Sequence, residues 1–298
     1  MATAVTTAPR LTSERASRGI WRDAFRRLLR NGPALVGLLF IAVFVLAAVL
    51  APVLTSYDPI SGTLADRLQE PGSPGHLLGT DLQGRDELTR ILYGARLSLL
   101  VGVGSVLIGL TMGGTIGALA GATGGRVDNV LMRIVDVLLA VPGILLAIGV
   151  VTWLGRGLPQ ITVAVAATNA PIFARILRGS LLANREQDYI IAARSIGAGR
   201  LRILLRHLLP NSLTSVIVAA TLALATAIID VAGLGFLGLG PADPRTAEWG
   251  TMLTDSTQYL RQAPYLIFFP GLAIVISAIG FNLLGDGLRE SLDPRLKR

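Results

Sequence analysis

The side chains that most often carry bond-making chemistry are scarce in this chain. There is no cysteine, which excludes disulfides, thiolate nucleophiles and Cys-based zinc sites. The two histidines, His76 and His207, stand far apart, which argues against a His-rich metal centre, although carboxylates alone would still suit a hard cation. Lys297 is the only lysine. A phosphate-gripping glycine loop needs a lysine at a helix start, so ATP, if it drives this protein, is bound by another chain. Two carboxylates stand at the margins of apolar runs, where ionisable groups are costly and are functional candidates by default. Asp136 follows Arg133 by three residues, a spacing that pairs side chains across one helical turn, and structural pairing is the favoured reading. Asp230 precedes the glycine-rich "VAGLGFLGLGP" and faces either a translocation route or a helix-capping amide; both stay open. No row of acids at helical spacing forms a proton relay, which weakens a stand-alone secondary transporter. With no nucleophile–base constellation, a membrane-embedded enzyme is poorer still.

Those residues sit in an unusual setting. Of 298 residues 52% are hydrophobic and only 15% charged, with a mean hydropathy of +0.61; a soluble domain carries charge at roughly 25% of positions. Charge-free stretches at residues 33–57, 97–125, 137–155, 157–174, 208–229 and 262–285 each come near the length that crosses a bilayer core of about 30 Å. Six transmembrane helices follow, the third and fourth separated only by Arg156. A cleaved signal peptide is the competing reading of the first, disfavoured by its long arginine-rich leader. In the second, Gly109, Gly113, Gly117, Gly121 and Gly125 recur every four residues, a ladder of small residues for close helix approach. A dinucleotide loop at Gly102 and Gly104 fails for want of the third glycine and a βαβ unit.

Arginine sets the orientation. With six spans, 20 basic residues fall on one side (the leader, 126–133, 175–211 and the tail) and six on the other. Basic loops stay in the cytoplasm, so both termini are cytoplasmic. The organisation reads as a cytoplasmic segment 1–33, a first span 34–57, an extracytoplasmic loop 58–95, a transmembrane domain 96–286 and a tail 287–298. The loop, rich in Pro and Gly, is either an irregular solvated connector or a docking cap.

One cytoplasmic piece, 180–211, carries "DYIIAARSIGAGRLRILLRHLLPNS". Asp188 begins a helix as its cap, Ala192 and Ala193 give it a small-residue face, and Gly197 ends it. Leu201, Leu204, Leu205 and Leu208 then share one side of a second helix, and Pro210 marks the entry to the fifth span. A helix lying on lipid headgroups is the plain reading. Nucleic-acid binding lacks aromatic interleaving. The glycine break favours a small face pressed into a groove on a soluble partner.

"AARSIGAGRLRILLRHLLP" resembles the EAA loop of permease subunits of binding-protein-dependent ABC importers, with Ala192, Ala193, Gly197, Leu209 and Pro210 at the pattern positions. Ile191 departs from its glutamate and His207 from its usual isoleucine. "HLLGTDLQGRDELTRILYGARLSL", "FLGLGP", "EWGTML", "APYLIFFPGLAI" and "FNLLGDGLRESLDPRLKR" extend the resemblance to the dipeptide/oligopeptide/nickel permeases of the DppC/OppC type from about Arg30 onward. Gly235 stands where that family commonly has serine, and Asp230 where it often has glutamate. The resemblance implies an all-α, type I ABC importer permease fold in the bacterial cytoplasmic membrane, with no catalysis and no cofactor of its own. ATP and Mg would sit on two partner ATPases docked through Ala192, Ala193, Gly197, His207, Leu209 and Pro210. A second permease subunit (DppB/OppB-like), an extracytoplasmic solute-binding protein and membrane lipid complete the expected partners, with no nucleic acid. Asp230 and Gly235 are the pathway or gate candidates. Short peptides lead as cargo; nickel, sugars and opines remain alternatives.

Overall fold

The computed structural model describes residues 20–243 and 245–292. The leader arginines Arg10, Arg15 and Arg18 and the tail residues Arg295, Lys297 and Arg298 lie outside them. Among the described residues the chain is helical without β-strands. A short amphipathic helix α1 (Ile20–Leu28) precedes α2 (Gly32–Leu54), whose first turn is capped by Asn31 Oδ1 accepting from the Ala34 amide at 3.0 Å. Then come α3 (Glu87–Thr123), α4 (Gly125–Ala140), α5 (Gly143–Leu154) and α6 (Leu158–Arg185). Short helices α7 (Asp188–Ser195) and α8 (Arg200–Ile203) lead into α9 (Leu209–Leu234), followed by α10 (Trp249–Ser256) and α11 (Tyr265–Leu292).

Helices α2, α3, α6, α9 and α11 are each long and apolar enough to cross a membrane, whereas the expected third span is broken: α4 and α5 meet at 97°. The break lies at Val141–Pro142, where proline offers no amide and holds the residue before it out of the helical region. The segment still crosses. A β-carbon on Gly109 would lie 2.9 Å from the Ala166 carbonyl, and those on Gly113 and Gly117 closer still to Ala170 and Ala174. Both residue numbers rise together, so α3 and α6 run parallel, and 125–157 must return from the end of one to the start of the other. The glycine ladder therefore packs α3 on α6. Gly125 does not join it: at φ +60° it forms the α3–α4 turn with open space around it.

Ion pairs tie the broken span to α6. Arg178 grips Asp128 with two hydrogen bonds, Nη2 to Oδ2 at 2.7 Å, and Arg175 pairs with Asp136. The expected Arg133–Asp136 pair is thus replaced by one between helices, because α6 presents a guanidinium where α4 crosses it.

The two ends of the bundle differ. At one, residues 58–75 stay largely exposed while much of 76–86 is buried, so the loop is part connector and part cap. Arg85 Nε donates to Asp81 Oδ2 at 2.6 Å and His76 pairs with Asp86 at 3.0 Å. Tyr265 Oη donates to the Gln69 and Thr80 carbonyls at 2.8 and 3.0 Å. Helix α3 starts inside the expected loop, at Glu87, because Asp86 caps it by accepting from the Thr89 amide at 2.8 Å. At the other end Asn31 Nδ2 donates to Glu290 Oε2 at 2.6 Å, and α11 runs to Leu292 rather than ending at 286. The arginine-rich segment lies here, so this is the cytoplasmic end.

Candidate coupling surface and pathway

Gln187, not Asp188, stands at the N-cap of helix α7, without a side-chain capping bond, and Asp188 is the first helical residue. Its end is sharply built. The Ala198 amide donates to the Ala193 carbonyl at 3.0 Å and the Gly197 amide to the Arg194 carbonyl at 2.9 Å, while Gly197 takes φ +84°. That is a Schellman closure, which favours glycine at its left-handed position.

Ala192 and Ala193 do not share a face. Ala193 is buried beside Ile190, whereas Ala192 is exposed with Ile191 and with Ile196, 86% exposed. Burial divides the pair, so Ala193 adds little to an outward small-residue face. What α7 offers outward is Ile191, Ala192 and Ile196. Leu201, Leu204, Leu205 and Leu208 are likewise divided: Leu201 and Leu205 face outward, Leu204 is half-buried, and Leu208 is buried with Ile203.

The cause is a π turn at Leu204–Leu208, closed by the Leu209 amide donating to the Leu204 carbonyl. Pro210 follows at the start of α9. A proline in a continuous helix clashes with the carbonyl four residues back, here Arg206, and one extra residue per turn relieves that clash. The fifth span thus begins earlier than Pro210, as a single 40-residue run, Arg200–Leu239. His207 lies half-buried in the π turn; its carbonyl accepts from Asn211 Nδ2 at 2.9 Å. The same amide donates to Tyr189 Oη at 3.1 Å, and Asn184 Nδ2 donates to Ser212 Oγ at 2.9 Å. These bonds join α7, α6 and the root of α9. Tyr189 and Asn211 escaped the sequence reading, although a polar residue directly after Leu-Pro was a visible signal.

At the outer end Asp230 is half-buried on α9 with no hydrogen bond to another described residue. Gly235 opens a second π turn, Gly235–Leu239, and a β-carbon there would meet Glu248 Oε2 at 2.5 Å. Gly235 therefore sits in close contact with α10. Glu248 was missed as a site residue: fully buried, it caps α10 by accepting from the Gly250 and Thr251 amides and Thr251 Oγ1, each at 2.9 Å. Burial raises its carboxyl above the ordinary 4.5, against the pull of those bonds. Trp249 beside it donates Nε1–H to the Ile91 carbonyl at 3.1 Å and meets Phe44 edge-on. The "EWG" stretch thus locks α10 to α3 and α9.

Comparison with known proteins decides the family. Residues 113–298 match the family model "Binding-protein-dependent transport system inner membrane component", and residues 19–71 match "N-terminal TM domain of oligopeptide transport permease C". The chain belongs to this family. Among curated relatives, the dipeptide transport system permease protein DppC of Alkalihalophilus pseudofirmus is 48% identical, over 93% of this chain and 90% of that one. The glutathione transport system permease protein GsiD of Pectobacterium atrosepticum is 45% identical, over 95% and 94%. The inward-facing MetNI methionine ABC transporter shares the fold, with a TM-score of 0.57 at 22% identity, over 68% of this chain and 96% of that one. The protein is thus a permease subunit of an ABC importer in the inner membrane, with a type I importer permease fold, and not itself a catalyst. Its family works with a partner permease, an ATPase and a binding protein.

Proposed function

We propose that this permease forms half of a pathway for short peptides, driven by two ATPases bound separately on this chain and on a second permease subunit. The observation that supports the cargo is the near full-length similarity to permeases named for a dipeptide and for glutathione, both small peptides. The ATPase docks on Ile191, Ala192 and Ile196 of α7. Gly197, His207, Leu209 and Pro210 act behind that face as hinge and root, and Ala193 anchors it. A docking surface of this kind does not require the carboxylate that Ile191 replaces; apolar contact in a groove suffices. ATP and Mg bind the ATPases, and no cofactor binds this chain. ATPase closure would move α7 and, through Asn211 and Asn184, rock α9 and α6 between inward- and outward-open states. Asp230, half-buried on α9 and in no ion pair among the described residues, would meet a peptide ammonium in the pathway.

The test is purification of the transporter from its own membranes, followed by ATP-driven uptake of radiolabelled dipeptides into vesicles. The expected result is co-recovery of a second permease and ATPases, uptake of dipeptide, and loss of both transport and transport-linked hydrolysis in Gly197→Asp with insertion intact. Nickel uptake without peptide uptake would overturn the cargo, and normal transport by Gly197→Asp would overturn the coupling. In Asp230→Asn, unchanged dipeptide uptake would remove Asp230 from the pathway.

A further inference from the structure

Behind the coupling helices lies a cavity of about 750 Å³, within the roughly 300–1,000 Å³ of small-molecule sites. It opens between the inner end of α3 (Leu119, Thr123), the end of α6 (Arg185), and both coupling helices (Arg194, Arg200, Leu201). Leu204 and Leu208 also line it. Three guanidiniums line it and no carboxylate does. None of the three is in an ion pair with another described residue, although Arg175 and Arg178, earlier on α6, are both paired. Arg185 leans over the α3–α4 turn, its Nη1 3.9 Å from where a β-carbon on Gly124 would stand.

We propose that this cavity holds one anionic glycerophospholipid of the inner leaflet, its phosphate on Arg185, Arg194 and Arg200 and its acyl chain on the leucines. The charge asks for an anion and the walls ask for hydrocarbon, at the level where α3 leaves the membrane. A basic pocket between spans on the cytoplasmic side is the setting in which lipid headgroups bind. A free phosphate would satisfy the arginines but leave the leucine wall without apolar cover. Because the cavity touches the ends of α3 and α6 and both α7 and α8, the lipid would brace the coupling segment against the bundle. The inference concerns the binding site alone and stands whatever the cargo.

The test is native mass spectrometry of the delipidated, assembled transporter titrated with phosphatidylglycerol, with phosphatidylcholine, and with inorganic phosphate. One tightly retained phosphatidylglycerol per copy of this chain is expected, with affinity falling about fivefold for each arginine replaced. Arg194→Gln, Arg200→Gln and Arg185→Gln should each weaken it, and Arg202→Gln, exposed on the same segment outside the cavity, should not. The two exposed positions, Arg194 and Arg200, serve if Arg185→Gln fails to assemble. Equal retention of phosphatidylcholine would overturn the proposal, as would undiminished phosphatidylglycerol binding in the arginine variants. Displacement of the lipid by millimolar phosphate would mark a free-anion site instead.

Discussion

Gly113 and Glu248 show how single residues decide whether spans can meet. Gly113 sits where any β-carbon would run into the Ala170 carbonyl, a backbone atom that cannot swing aside. Gly113→Val should therefore separate α3 from α6, destabilising the subunit by about 1–3 kcal/mol. Thermal unfolding of the purified transporter would report it; an unchanged midpoint would mean that the close approach is dispensable. Glu248 titrates in the opposite sense to a salt-bridged acid. Its folded value lies above the ordinary 4.5, so its favourable contribution is complete below 4.5 and is lost as pH rises toward the folded value. Glu248→Gln keeps an acceptor oxygen but cannot ionise. The difference in stability between parent and variant should shift in favour of the variant as pH rises from 4 toward 8, measured as midpoints across that range. A constant difference would show that burial leaves the Glu248 carboxyl at its ordinary value.

At the level of elements, legibility in the sequence followed the strength of the local signal. Five spans announce themselves by long uncharged runs, and the four-residue glycine period identified the packed face of α3 without naming α6 as its partner. The third span hid its break. Arg126, Asp128, Arg133 and Asp136 dilute the hydropathy of α4, and pairing of those acids with Arg175 and Arg178 is a long-range fact that no local spacing encodes. The coupling segment was legible at Gly197, where helix termination is a local backbone matter. It was not legible after Gly199, because the π turn adds one residue to the period and shifts which leucines face inward. That extra residue gives a direct prediction. Deleting Leu205 should convert the π turn to an α turn and rotate α7 and α8 by about 100° relative to α9. Ile191 and Ile196 would then present a different face. Insertion should be retained, and ATPase recovery on co-purification should drop severalfold. Full recovery would show that the orientation of α7 is not set by this turn.

For the molecule as a whole, the topology turns on the third crossing. Two helices bent by 97° can form either a broken span or a re-entrant loop that leaves on the side it entered. A re-entrant loop would place Arg156 on the cytoplasmic side, reverse every later element, and put the arginines of 175–211 outside. The parallel contact of α3 with α6 forbids that arrangement, since both must start at the same face. The absence of cysteine makes the point measurable on an otherwise native background. Arg156→Cys should react with a membrane-impermeant maleimide only from the extracytoplasmic side, as should Leu64→Cys in the outer cap, 75% exposed. Ile196→Cys should react only from the cytoplasm, and be shielded when the ATPase is present. Cytoplasmic labelling at position 156 would make the segment re-entrant and undo the parallel packing. Because the bend costs α4 and α5 the continuity of an ordinary span, their ion pairs to α6 should carry the anchorage. Arg178→Ala would then leave the buried Asp128 without its partner and loosen this crossing first, read as faster labelling at position 156.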